Sequence, residues 1–205
     1  MTPLRFALDG RDLPDNRALV LAQVEPTAAA VDAALAEGAD LIDLGTADPA
    51  FVAETRARHP GVALAATPGD VYALCEAGAD LLDGTGGDGE IDETAAQYGR
   101  GLITASVRQA EWSQWLQVPR AGVLLDCPPG PDLLRRLDEP VQWPRLITLP
   151  DNGLGDAALA VAALAAWRGV QVVRTREVPR VRQALEMAAS INGSRPPAAV
   201  LRALT

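Results

Sequence analysis

Eight apolar, strand-like runs recur along this chain at intervals of about twenty residues, and six of them follow a glycine. That rhythm predicts a (β/α)8 barrel, an α/β fold with short loops. The glycines are Gly38, Gly61, Gly78, Gly101, Gly122 and Gly169. Each is expected to end a helix in the left-handed conformation that a residue without Cβ adopts cheaply. The runs that follow are 40–44, 62–66, 80–83, 102–106, 123–126 and 170–174; 18–24 and 145–149 complete the set. Two units are near copies, Glu37-Gly38-Ala39-Asp40-Leu41-Ile42-Asp43 and Ala77-Gly78-Ala79-Asp80-Leu81-Leu82-Asp83, two βα units apart.

A chain of 205 residues with 48% hydrophobic content can bury one substantial core, so 1–205 is read as a single soluble domain without a linker. Residues 1–17 read as an irregular lead-in that plugs the barrel bottom, and 194–205 as a tail ending in a short apolar helix. Helix starts are legible at Thr27, at Asp48-Pro49, at Thr67-Pro68 and after Asp156. A last long helix begins near Pro179, with Val178, Val181, Leu185, Ala188 and Ile191 as one stripe.

Charge narrows the function. The net charge is −9, which disfavours nucleic acid as a partner. All 18 bases are arginine. Without lysine, Schiff-base chemistry and a Walker-type phosphate site are excluded. No run has the length of a membrane span, and no leader pattern opens the chain, so a cytoplasmic protein is expected. Two cysteines, Cys75 and Cys127, suit a reducing compartment. The one histidine, His59, falls at the stability face and leaves Cys127 without a dyad partner. With one histidine no multi-histidine zinc site can be assembled, and a carboxylate magnesium site stays open without a specific signal for it.

In such a barrel the chemistry lies where the strands end. Strands two, four and six end at Asp43, Asp83 and Asp126, and strand eight ends at Arg174. Alternate strands feed one side-chain layer, so these four charges are expected to form a ring at the mouth. Each aspartate has a plainer reading, as a tie for its own loop. The loop from Gly84 to Gly89 lacks the lysine of a phosphate loop and reads as a turn.

These residues carry a resemblance to the dihydropteroate synthase family, the pterin-binding barrels of folate biosynthesis. Glu37 to Gly45 resembles the family's Glu-Gly-Ala-Asp-Ile-Ile-Asp-Ile-Gly, and Ala77 to Gly87 its Ala-Gly-Ala-Asp-Ile-Ile-Asn-Asp-Val-Ser-Gly. Val20 to Pro26 stands where the family has Gly-Ile-Leu-Asn-Val-Thr-Pro; Leu124-Leu125-Asp126 and Val173 to Val178 match its sixth and eighth strands.

The resemblance implies a transferase site with a small-molecule ligand, pterin-like or a phosphorylated heterocycle, and a homodimer packed through the last helices. It places Gln23, Asp43, Thr67, Asp83, Arg174 and Arg176 as ligand-binding and Asp126 as catalytic, with Arg174 and Arg176 clamping an anion. The departures are specific. The metal-associated asparagine of strand one is Gln23, the acid before Thr67 is Ala66, and the strand-four asparagine is Asp83. The Ser-Arg-Lys of strand seven is replaced across Leu146 to Asp151, and the final histidine is Arg176. Normal synthase activity is therefore not expected. The alternatives are a non-catalytic binding or partner protein, and a lyase or isomerase using Asp126 as acid or base.

Overall fold

The computed structural model describes residues 4–87, 89–150 and 155–195. Eight parallel strands close into a barrel in sequence order: β1 (Leu19–Gln23), β2 (Leu41–Asp43), β3 (Ala63–Ala66), β4 (Leu81–Asp83), β5 (Gly101–Thr104), β6 (Val123–Asp126), β7 (Arg145–Thr148) and β8 (Val172–Thr175). Each is followed by a helix: α1 (Ala28–Ala36), α2 (Pro49–Arg58), α3 (Val71–Ala77), α4 (Gly89–Tyr98), α5 (Val107–Trp115), α6 (Leu133–Asp138), α7 (Asp156–Trp167) and α8 (Val178–Ile191). The (β/α)8 expectation holds, with the strands within two residues of the runs read from the sequence.

Side chains two apart on a strand share a face, so the barrel fills in layers. Its interior holds Leu19, Leu21, Leu41, Ala63, Ala65, Leu81, Ile103, Leu124, Leu146 and Val172. Phe6 and Leu8 of the lead-in enter this interior from the strands' amino ends. There Ala7 donates its N–H to Ala121 O at 3.0 Å, just before β6. A Cβ on Gly101, at the start of β5, would lie 2.5 Å from Leu8 Cδ2 and 2.9 Å from Gly122 O. The glycine makes room for the plug. A second core lies between the strands' outer faces and the helices.

Gly38, Gly78 and Gly169 have the expected positive φ, at 96°, 101° and 83°. Gly61, Gly101 and Gly122 do not: Gly101 is already in strand, and Gly122 closes a 3-10 turn, Arg120–Gly122. Before β5 the left-handed turn falls earlier, at Gly99.

Thr27 and Asp48 cap α1 and α2 through Ala30 N and Ala50 N. Thr67 does not cap α3. Its N–H is committed to Gly45 O at 2.8 Å, so the chain stays extended and Asp70 caps the helix through Ala73 N. On α7 the buried residues are Ala162 and Ala165, while Leu164 and Trp167 face outward. On α8 the stripe buries Val178, Val181, Leu185 and Ala188 but leaves Ile191 exposed. Of the 194–205 tail, the part from 196 on, where its short apolar helix was expected, lies outside the described residues, as do Asp88 of the glycine loop and Asp151.

Candidate functional site

The inward face of each even strand ends in a charge. Asp43 lies two residues beyond Leu41, Asp83 beyond Leu81, Asp126 beyond Leu124, and Arg174 beyond Val172, so the four share the layer above the apolar interior. Arg174 is the hub. Its Nη2 lies 2.8 Å from Asp83 Oδ2 and its Nε 2.8 Å from Asp43 Oδ2. The Nε–H is not aimed at an acceptor, so the Asp43 contact is an ion pair without a hydrogen bond from that atom. All three side chains are at least nine-tenths buried.

The two readings offered for these aspartates are realised together, one on each oxygen. Asp43 Oδ1 accepts from Gly45 N at 3.0 Å. Asp83 Oδ1 accepts from Thr85 N at 3.1 Å and Thr85 Oγ1 at 2.6 Å. Each aspartate thus ties its loop through the residue two ahead, an Asx turn, and turns the other oxygen to Arg174. Burial pushes the Asp43 carboxyl above its usual range against the pull of Arg174. Burial acts the same way on Asp83, but Arg174 and the two Thr85 bonds outweigh it and hold that carboxyl low.

Asp126 differs. Its Oδ1 is buried and has no hydrogen-bond partner. Burial pushes its carboxyl up to about 6; Asp83 adds to the shift, while Arg174 and Arg136 oppose it. A partnerless buried acceptor costs about 1–3 kcal/mol, more when charged. A donor supplied by a ligand would relieve that cost.

The remaining predicted residues lie around the ring. Gln23 extends the inward face of β1 beyond Leu21 and pairs in register with Asp43. Thr67 meets the β2 loop through its backbone. Arg176 stands farther out, 3.1 Å from Glu25 Oε1 in an exposed pair. Arg174 thus faces two buried carboxylates, and Arg176 pairs with a surface glutamate. Cys127 is buried beside Asp126, and burial raises its thiol pKa. His59 pairs with Asp32 at 2.9 Å, away from the mouth. Among the described residues no group of three or more His, Cys, Asp or Glu side chains is placed to hold a metal ion, so the magnesium expectation finds no ligand cluster there. Among the described residues no helix is long and apolar enough to cross a membrane.

Sequence reasoning passed over Thr85, Arg136 and Gln109. Gln109 on α5 donates to Gly84 O at 2.7 Å and accepts from Ala105 N at 3.0 Å, joining the loops after β4 and β5. The Asp-x-Thr spacing of Asp83 and Thr85 was the available signal for the first. The other two come from helices whose spacing to the mouth only the fold supplies.

No family model matches the chain. An inactive dihydropteroate synthase 2 of Mycobacterium leprae is 30% identical, over 98% of this chain and 100% of the relative. The inactive dihydropteroate synthase 2 of Mycobacterium tuberculosis strain H37Rv is 30% identical over 96% of this chain and 90% of its own. Among solved structures, Mycobacterium tuberculosis Rv1207 superposes with a TM-score of 0.79 at 32% identity, covering 93% of this chain and 99% of that one. The Yersinia pestis dihydropteroate synthase, at 19% identity, gives 0.78 over 94% and 100% and supports the fold. On this identity and coverage, the chain belongs to the dihydropteroate synthase family.

Proposed function

We propose that this barrel binds a pterin-like, donor-rich heterocycle at its mouth and does not condense it as a synthase. The observation that carries the reading is the buried, partnerless Asp126 Oδ1 beside the Arg174 ring. A carboxylate there can accept the paired N–H groups of an aminopyrimidine edge. Loss of turnover follows from what is missing. The chain has no lysine at all, and Ala66 stands where the resemblance expects an acid. Two absent transition-state interactions of about 2–3 kcal/mol each predict a rate at least about a thousandfold below an ordinary synthase. The relatives named as inactive synthases fit this reading. We further propose a cytoplasmic homodimer; the two buried free cysteines suit a reducing compartment.

The test has two arms. Purified protein is assayed with hydroxymethylpterin diphosphate and aminobenzoate, and turnover within about tenfold of an ordinary synthase would refute the loss of activity. Calorimetry with a pterin should show binding that Asp126→Ala weakens while circular dichroism stays unchanged. Equal affinity in both proteins would place the site elsewhere.

A second reading rests on the same carboxyl. A group titrating near 6 is suited to proton transfer near neutral pH, as a lyase or isomerase requires. Asp126→Asn would then abolish turnover of the ligand with binding retained, whereas a binding protein shows no turnover to abolish.

A further inference from the structure

Arg174 is the cation at the centre of the mouth, and the chain itself supplies its counter-ions. Asp43 and Asp83 each place an oxygen 2.8 Å from the guanidinium, with Asp126 across the same layer. With all four groups ionised the ring carries one positive and three negative charges, a net −2. A phosphate or carboxylate approaching Arg174 meets two carboxylates already in place and a third beside them.

We propose that Asp83 sets the charge of the ligand this mouth accepts: it occupies Arg174 as an internal counter-ion, so the site excludes phosphate- or carboxylate-bearing molecules and takes a neutral or cationic heterocycle. The inference rests on the binding reading above and narrows its ligand class. It follows that any pterin-like ligand binds here without a diphosphate.

The local geometry makes Asp83 the residue that decides. Both Thr85 donors, N–H and O–H, converge on Asp83 Oδ1 and leave Oδ2 facing Arg174 Nη2. In Asp83→Asn the same two donors hold the amide oxygen at the Oδ1 position, which turns the amide NH2 toward Nη2. Two donors then face each other, and the ring charge falls to −1. Arg174 keeps Asp43 but gains an unfilled donor pair, an arrangement that an anion's oxygen satisfies. Asp43 does not play the equivalent part, since its partner atom is the buried Nε, whose N–H is not aimed at it, and its loop tie is a single backbone N–H.

The experiment is calorimetric titration of the full chain with inorganic pyrophosphate at low ionic strength, in wild type, Asp83→Asn and the double variant Asp83→Asn, Arg174→Gln. Expected are no saturable binding at millimolar pyrophosphate in wild type, binding at least about tenfold tighter in Asp83→Asn, and loss of that gain in the double variant. Equal pyrophosphate affinity in wild type and Asp83→Asn would overturn the proposal, as would a gain that survives in the double variant. If Asp83→Asn is too unstable to titrate, Asp83→Ser is read in the same way. A parallel titration of wild type with 2,4-diaminopyrimidine separates the two readings. Absence of binding there would overturn the ligand reading, while the pyrophosphate gain in Asp83→Asn reports on Asp83 independently.

Discussion

Asp126→Asn should stabilise the protein at alkaline pH and leave it nearly unchanged at acid pH. In the folded chain the Asp126 carboxyl is pushed up to about 6, mainly by burial, from an ordinary value of 3.8. Because the folded value is the higher one, the protonated group favours the native state. That contribution is complete below about pH 4 and is lost as pH rises through about 6. That rise, at about 1.36 kcal/mol per pKa unit, sets an upper figure of about 3 kcal/mol, reduced by the solvent that reaches this partly buried group. Asparagine has the same shape and no charge to desolvate. Urea unfolding of both proteins from pH 4 to 8 should show the variant's advantage growing by about 1–2 kcal/mol, mostly between pH 4.5 and 6.5. For a chain of this length that corresponds to a rise in Tm of about 2–8 °C at pH 8. An advantage that does not change with pH would refute the assignment of Oδ1 as a buried acceptor without a partner.

Arg174→Gln should cost about 3–5 kcal/mol at pH 7, because it strands two buried carboxylates, and urea midpoints should show the deficit shrinking toward pH 4 as they protonate. Gly101→Ala should cost about 1–3 kcal/mol by driving a methyl into Leu8 and the Gly122 carbonyl, whereas Gly61→Ala, which meets nothing within 4 Å and has no positive φ, should unfold at a midpoint close to wild type. Binding of a pterin should strengthen as pH rises through about 6, when Asp126 becomes an acceptor; a flat pH profile by calorimetry would remove Asp126 from the contact. Leu164, Trp167, Met187 and Ile191 are each about half exposed or more on α7 and α8, and light scattering should give a dimer that Trp167→Glu dissociates; a wild-type monomer across micromolar concentrations would exclude it.

The barrel was legible because a twenty-residue period leaves few alternatives, and the ring was legible because a strand places every second residue on one face. Two kinds of information were not in the pattern. Gly61, Gly101 and Gly122 sit before strands just as Gly38 and Gly78 do, yet only the latter pair turns left-handed. Gly101 is required instead by a plug residue, Leu8, more than ninety positions away in sequence. Likewise, the sequence offers Arg174 and Arg176 as neighbours on one strand end. In the fold Arg174 is buried against Asp43 and Asp83, and Arg176 pairs with Glu25 at the surface. Pairing across the layer is a property of closure, which no local window contains.

The repeated heptapeptide shows why a family motif and a family activity can part. In both copies the first aspartate serves the amino end of the barrel: Asp40 accepts from Val20 N and pairs with Arg17, and Asp80 accepts from Leu64 N and pairs with Arg11. The glycines before them leave space that Arg182 and Arg56 fill, each donating to the glycine's own carbonyl. The second aspartate of each copy serves the mouth, through Arg174. Asp40→Asn and Asp80→Asn should accordingly lower stability and leave ligand affinity alone, while Asp83→Asn should also change what the mouth binds. Most of the motif holds strands, plug and helices together whether or not anything reacts at the other end. A match to it therefore argues for the barrel, and the chemistry rests on the few groups that meet Arg174.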